Sequence, residues 1–330
     1  MKGKTAVICS ILTSAMAGCA PSSDAGRGYP TADLSNGIIN ARVAIDTGNM
    51  QNYYRATRFD WSGIIYSLEF KGHSYFGEWV DKVDPYIHDS ICGPVEEFAQ
   101  IGYEAAPVGG EFLKIGVGTL KKTENAPYAF RQLYQIVNPG KWECSHTKNS
   151  VSYKHTLNSE IASYEYSKQI ELVPGKPVMK IRHALKNTGK TPIETTVYDH
   201  NFFMLDNQRA GKPISVKFAF EPKDPEAVLF NAEKYTSLKG NTLSFTEDFK
   251  PGDLALYRGL KGLDKVENYD FRLENSNTGA AVRFTCDRPL MKTTFWSCYM
   301  TYCAEPFIKI SVAPGETFDW TISYEFYTVK

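Results

Sequence analysis

A chain of 330 residues in which 37 lysines and arginines balance 37 aspartates and glutamates has no net charge. It offers neither the basic field that attracts nucleic acid nor a polybasic tract for a membrane surface. Aromatic residues make up 13%, with 20 tyrosines and 19 phenylalanines, which favours β-structure and, in an exposed β-groove, supplies rings that stack on sugars.

The N-terminus reads as an address. Met1-Lys2-Gly3-Lys4 is basic, and the apolar run from Ala6 to Ala17 is too short to span a bilayer as a mature helix. Residues 1–18 are therefore expected to be a cleaved export signal. Met16-Ala17-Gly18-Cys19 resembles the lipobox of bacterial lipoproteins, with Met16 where that motif usually has leucine. The resemblance implies a lipidated Cys19 and a place in the bacterial cell envelope, periplasmic or outer-membrane. An ordinary secretory signal with a chance cysteine is the competing reading. Residues 19–36, aperiodic and containing Ser, Gly and Pro, are expected to be a flexible tether. Residues 37–330 keep one texture without repeats, as a single domain would.

Strand signals recur along that domain and helix signals are poor. Ile64, Tyr66, Leu68 and Phe70 alternate before the turn at Lys71-Gly72-His73. The stretch from His88 to Phe98 is dense in ionisable groups around Gly93-Pro94 and is expected to be a loop, functional or simply solvated. Tyr164 to Val173 and Val178 to Lys186 flank the turn Pro174-Gly175-Lys176-Pro177. Ile193 to Tyr198 follows, then Asp199-His200-Asn201-Phe202-Phe203. Near the C-terminus, Cys303-Ala304-Glu305-Pro306 leads into the strand Ile308 to Val312; after Pro314-Gly315-Glu316, Trp320, Ile322, Tyr324 and Phe326 alternate. Antiparallel strands joined by turns imply an all-β chain folded as a large antiparallel β-sandwich.

Several side chains have two readings. Arg55 and Arg58, among aromatics, either bind an acidic sugar bidentately or are surface charges. Trp296 and Tyr299 are stacking platforms or core. His183 shares a face with Met179, Ile181 and Leu185 and reads as a core or groove residue, His73 as part of a turn, and His146 and His155 as exposed. Cys298 and Cys303 are near enough for a disulfide in an exported chain, buried free thiols being the alternative. No CxxC spacing indicates zinc.

The order of strand, Pro-Gly turn, strand, Asn-Thr-Gly turn, strand and then His200 with Phe202 and Phe203 resembles the galactose mutarotase-like superfamily. Asp199-His200-Asn201-Phe202-Phe203-Met204-Leu205 stands where aldose 1-epimerases carry Asn-His-(Pro/Ser)-Tyr-Phe-Asn-Leu. The segment around Glu305 looks like the stretch that holds their glutamate base. This likeness covers roughly residues 163–330 and implies the large mutarotase-type supersandwich, with Glu305 as base and His200 as acid. Anomer exchange removes a proton from the C1 hydroxyl and delivers one to the ring oxygen, so a tuned carboxyl–imidazole pair suffices, with no cofactor and no metal. The partner implied is a mono- or oligosaccharide, acidic sugars included.

The sequence also departs from that family. Its Leu-His-Gly-Gly loop and Asn-Arg-Ile motif are absent, and the His88–Phe98 segment stands in their place. There His88 is a candidate for the missing histidine, and Glu96 and Glu97 for binding sugar hydroxyls. Two other functions stay open on the same fold: a polysaccharide lyase recruiting His88, Arg55 and Arg58, and a lipid-anchored sugar-binding protein without catalysis.

Overall fold

The computed structural model describes residues 28–45, 53–261 and 264–330. The expected export signal, the lipid site Cys19 and the first half of the expected tether lie outside the described residues. Among the described residues helix is confined to Ala232–Tyr235 and two short 3-10 turns, and every strand pairing is antiparallel. Among the described residues no helix is long and apolar enough to cross a membrane.

Two large sheets face each other. The ten-stranded sheet runs in the order Thr236–Lys239, Thr242–Phe245, Ile214–Phe218, Asp270–Asn275, Ala280–Cys286, Thr317–Thr328, Val178–Asn187, Tyr164–Leu172, Ser150–Leu157 and Lys141–His146. The six-stranded sheet runs Ala227–Leu229, Leu254–Leu260, Lys292–Cys298, Tyr302–Val312, Ile193–Phe202 and Gly93–Phe98. Successive side chains on a strand point to opposite faces, so each alternating sequence sends one set inward. Ile170, Met179, Ile181, Ile322 and Phe326 from the large sheet meet Val197, Phe295, Ile308 and Ile310 from the smaller one in a continuous core. Burying one such side chain contributes about 1.5–3 kcal/mol, and most outward residues of Tyr164–Leu172 and Val178–Asn187 are polar.

A second apolar cluster packs on the outer face of the six-stranded sheet. Tyr53, Tyr54, Phe59, Trp61, Tyr103 and Phe112 join Val95, Phe202 and Cys303 there. This cluster covers one end of that face, so the uncovered remainder becomes a cleft rather than a flat surface.

Three expectations change. The fold begins inside residues 19–36: Thr31–Ser35 is a strand paired with Ile39–Ala44, because Ala32 and Leu34 alternate into the core. The second half of the His88–Phe98 segment, Gly93–Phe98, is a buried strand and not a loop. His155 is fully buried, stacked on Trp142 with ring centroids 4.2 Å apart and 2.9 Å from the Pro139 carbonyl oxygen. Its strand alternates cleanly inward, which the polar flanking sequence concealed.

Gly93 opens the edge strand with φ +77°, and a Cβ there would lie 2.8 Å from the Ile65 carbonyl oxygen. Gly93→Ala meets both the left-handed backbone and that contact, so it is expected to destabilise by about 1–3 kcal/mol, measured as a shift in urea midpoint.

Candidate active site

The register of the six-stranded sheet lays out the cleft. Tyr198 stands opposite Phe307 and Glu97 on its two neighbouring strands, and Phe307 opposite Lys292. One step along, Thr294 stands opposite Glu305, while Asn201 Nδ2 donates to the Ala304 carbonyl oxygen at 3.0 Å and carries the pairing past His200. Leu256 faces Trp296 in the row beyond. Alternation therefore puts Thr196, Tyr198, His200, Glu305, Phe307, Thr294, Trp296 and Glu97 on one surface. They line a cleft of about 460 Å³, within the range of about 300–1,000 Å³ usual for small-molecule sites. Asp89, Tyr128 and Phe130 close one side of it.

At its floor Glu305 Oε1 and His200 Nε2 are 3.3 Å apart. Glu305 is 6% exposed and His200 3%. The imidazole stacks on Phe202 at 3.9 Å between centroids and meets Phe59 and Trp296 edge-on. Its Nδ1 has no hydrogen-bond partner. Both residues lie within strands, Ile193–Phe202 and Tyr302–Val312, rather than just outside them. They also stand close enough to touch.

Burial sets the protonation of this pair. It pushes the Glu305 carboxyl up to about 8, aided by the nearby negative charges of Glu97 and Asp89 and opposed by Arg58 and Arg258. It pulls the His200 imidazole down to about 3, with Arg58 acting in the same direction and Asp89 and Glu97 opposing. At neutral pH the pair is uncharged, with the proton on Glu305 and the imidazole neutral.

Glu97 behaves in the opposite way. Burial alone would raise it, yet Lys114 and Arg58 hold it ionised at about 2. Arg58 Nε donates to Glu97 Oε2 at 2.7 Å, Lys114 Nζ to Glu97 Oε1 at 3.2 Å, and the Tyr198 hydroxyl donates to Oε2 as well. The same guanidinium pairs with Asp89, donates to the Tyr198 hydroxyl at 2.9 Å, and lies between the rings of Phe59 and Phe130. All three nitrogens of Arg58 are thus engaged.

Of the residues singled out in the sequence, Glu305, His200, Glu97, Arg58 and Trp296 meet in the cleft. His88 stands behind it, its Nε2 3.1 Å from Asp89 Oδ2. Three expected contacts lie elsewhere. Glu96 points to the other face of its strand, into the space between the sheets, where it pairs with Lys168 and lies 2.7 Å from His183 Nε2. Arg55 is buried over the Trp61 ring at 4.6 Å, on the far side of the aromatic cluster. Tyr299 falls past the end of the Lys292–Cys298 strand, where alternation stops, and packs on the main core. The five described cysteines, Cys298 and Cys303 included, are free thiols. Among the described residues no cluster of three His, Cys, Asp or Glu side chains is arranged for a metal.

Two outcomes are expected. Glu96→Ala leaves Lys168 buried with only Asp60 as a counter-charge, 3.8 Å away, and should cost about 3 kcal/mol or more in denaturant unfolding. Glu305 keeps its proton in the folded state to about pH 8, whereas the unfolded carboxyl loses it near the ordinary value of 4.5. Its stabilising contribution is thus complete below the lower value and declines as pH rises toward the upper one. Glu305→Gln should therefore gain stability on the parent between pH 5 and 9, by up to a few kcal/mol at about 1.4 kcal/mol per pKa unit. A carboxylic-acid carbonyl band present at pH 7 and absent from the variant would mark the protonated group.

No protein-family model matches this sequence, and no curated protein matches it by sequence. Solved structures do match by shape. A galactose mutarotase related enzyme from Lactobacillus acidophilus aligns over 91% of this chain and 99% of its own at 14% identity, with a TM-score of 0.54. A galactose mutarotase-like protein from Clostridium acetobutylicum aligns over 90% and 95% at 14% identity and 0.54. A GalM/aldose epimerase homologue from C. elegans aligns over 91% and 99% at 13% identity and 0.52. With its paired antiparallel sheets and this likeness over nine-tenths of its length, the chain has the galactose mutarotase-like β-sandwich fold, far removed in sequence from the proteins that share it.

Proposed function

We propose that the protein is a sugar epimerase of the aldose 1-epimerase type, held in a bacterial cell envelope through a lipidated Cys19. The observation that carries the reading is the buried Glu305–His200 pair, 3.3 Å apart at the floor of an aromatic-walled cleft, where desolvation favours the neutral form of each group. One group holds a proton and the other has a lone pair, which is what ring opening at C1 needs. His200 takes the proton of the C1 hydroxyl as the C1–O5 bond breaks and the C1 carbonyl forms, while Glu305 gives its proton to the ring oxygen. Rotation about C1–C2 and the reverse transfers close the ring as the other anomer and return both groups to their starting state. This reverses the base and acid roles implied by family resemblance, because burial leaves the resting proton on the carboxyl.

Trp296 and Phe307 on the sheet, with Tyr128 and Phe130 on the rim, supply ring faces for stacking. Glu97, fixed by Arg58, Lys114 and Tyr198, is an ionised acceptor for a sugar hydroxyl. A lyase reading needs a cation to neutralise a uronate beside the scissile proton. Arg58, the cleft arginine that the sequence offered for that role, is already committed to Glu97 and Asp89.

The test is anomer exchange followed by NMR on a panel of reducing sugars. Glu305→Gln and His200→Asn should each slow exchange about a hundredfold or more, with sugar affinity changed only modestly. The parent rate should be level through neutrality and fall above about pH 8, as Glu305 loses its proton. Exchange at the parent rate in both variants would remove the assignment. Sugar binding without exchange of any panel member would make the protein a carbohydrate-binding module.

A further inference from the structure

We infer that Arg258 sets the substrate class of this cleft by taking the carboxylate on the exocyclic carbon of an acidic sugar, a hexuronic acid. The inference rests on the sugar-cleft reading above and goes beyond it in naming the substrate.

The placement follows from a bulge. On the Leu254–Leu260 strand, Tyr257 stands opposite Phe295 and Leu260 opposite Thr293, so Arg258 and Gly259 together oppose the single residue Thr294. Such a bulge bends its strand and re-aims a side chain, often beside an active site. Gly259 supplies the positive φ of +63°, and its amide faces the Thr294 hydroxyl at 3.4 Å. Arg258, Thr294, Glu305 and His200 therefore form one row across adjacent strands. Arg258 is two strands from Glu305, about 10 Å at the usual strand spacing. A pyranose with C1 over the Glu305–His200 pair directs its C5 substituent along that row toward the guanidinium.

Charge balance singles out this residue. Arg58 and Lys114 are spent on Glu97 and Asp89. The other cation at this end, Lys292, lies 3.2 Å and 3.4 Å from the Glu226 carboxylate oxygens. That carboxylate occupies the space a side chain at position 259 would need, since a Cβ on Gly259 would sit 2.3 Å from Glu226 Cδ. Arg258 lines the cleft and is exposed, and its guanidinium has no ion pair or side-chain hydrogen bond with any described residue. One uncompensated positive charge on a planar fork suits one carboxylate. A phosphate dianion would leave a charge unmatched.

Calorimetric titration of the whole folded domain with D-glucuronate and D-galacturonate, the matching neutral hexoses and a hexose 6-phosphate tests this. The hexuronate of the preferred series should bind about tenfold or more tightly than its hexose, with the gap narrowing as salt is raised. Arg258→Gln should abolish the gap, the hexuronate binding no more tightly than its hexose in the same variant; Arg258→Lys should keep only part of it. Equal binding of acid and neutral sugar, or a gap that survives Arg258→Gln, overturns the inference. A hexose 6-phosphate that outbinds every hexuronate and depends on Arg258 overturns the carboxylate in favour of phosphate. Anomer exchange measured on the same samples keeps the two readings apart. Selective hexuronate binding without exchange sustains Arg258 and sinks the epimerase, while exchange without selectivity does the reverse.

Discussion

Glu96 and Glu97 are neighbours in sequence, and their side chains leave the same strand on opposite faces, both almost fully removed from water. A carboxylate in that position survives only if a cation reaches it, and here each has its own supply. Lys168, from the ten-stranded sheet, crosses the interior to Glu96, with His183 beside it. Arg58 and Lys114, from segments outside both large sheets, meet at Glu97. The edge strand that closes the cleft is thereby tied on one side to the sandwich and on the other to the aromatic cluster. Cleft geometry and fold stability share these contacts.

That partition of charge also determines what the cleft floor is. Desolvation prevails at Glu305: Arg58 is the strongest influence toward ionisation there, and the charges of Glu97 and Asp89 work against it. Two carboxylates of one surface, on the strands that flank Ile193–Phe202, consequently hold opposite states at neutral pH: Glu97 charged and fixed, Glu305 protonated and able to exchange its proton. Asp199, between Tyr198 and His200 but facing inward, is likewise held up at about 8 by burial and by its neighbour Glu96, and it accepts a hydrogen bond from Tyr324. The ladder that presents His200 to the cleft is braced from behind by neutral polar contacts.

Much of this was legible in the sequence, for identifiable reasons. The hairpin around Pro174-Gly175-Lys176-Pro177 and the alternation of Trp320, Ile322, Tyr324 and Phe326 state their faces directly, and all three strands stand where the sequence puts them, the hairpin ends within a residue. His200 and Glu305 could be found by motif, but placing them outside their strands hid the rest of the row. Counting by twos from His200 reaches Tyr198 and Thr196, and from Trp296 it reaches Thr294 and Lys292; every one of these lines the cleft. Glu96 and Arg55 were misplaced because polar residues signal exposure unless a partner is known, and their surroundings come from distant segments. Arg258 gave no local signal, since its direction depends on a bulge against a strand more than thirty residues away.

The strand Thr317–Thr328 follows every other strand in sequence, yet it lies in the middle of the large sheet, between Ala280–Cys286 and Val178–Asn187. Until it is inserted, the ten-stranded sheet is two half-sheets, each with an open inner edge and an unfilled core where Trp320 and Phe326 belong. Pairings of such long sequence separation form slowly, because the loop-closure entropy is paid before the contacts return it. Completion of the large sheet therefore waits until Thr317–Thr328 has been made. Joining the two half-sheets is accordingly a late event in the assembly of this sheet.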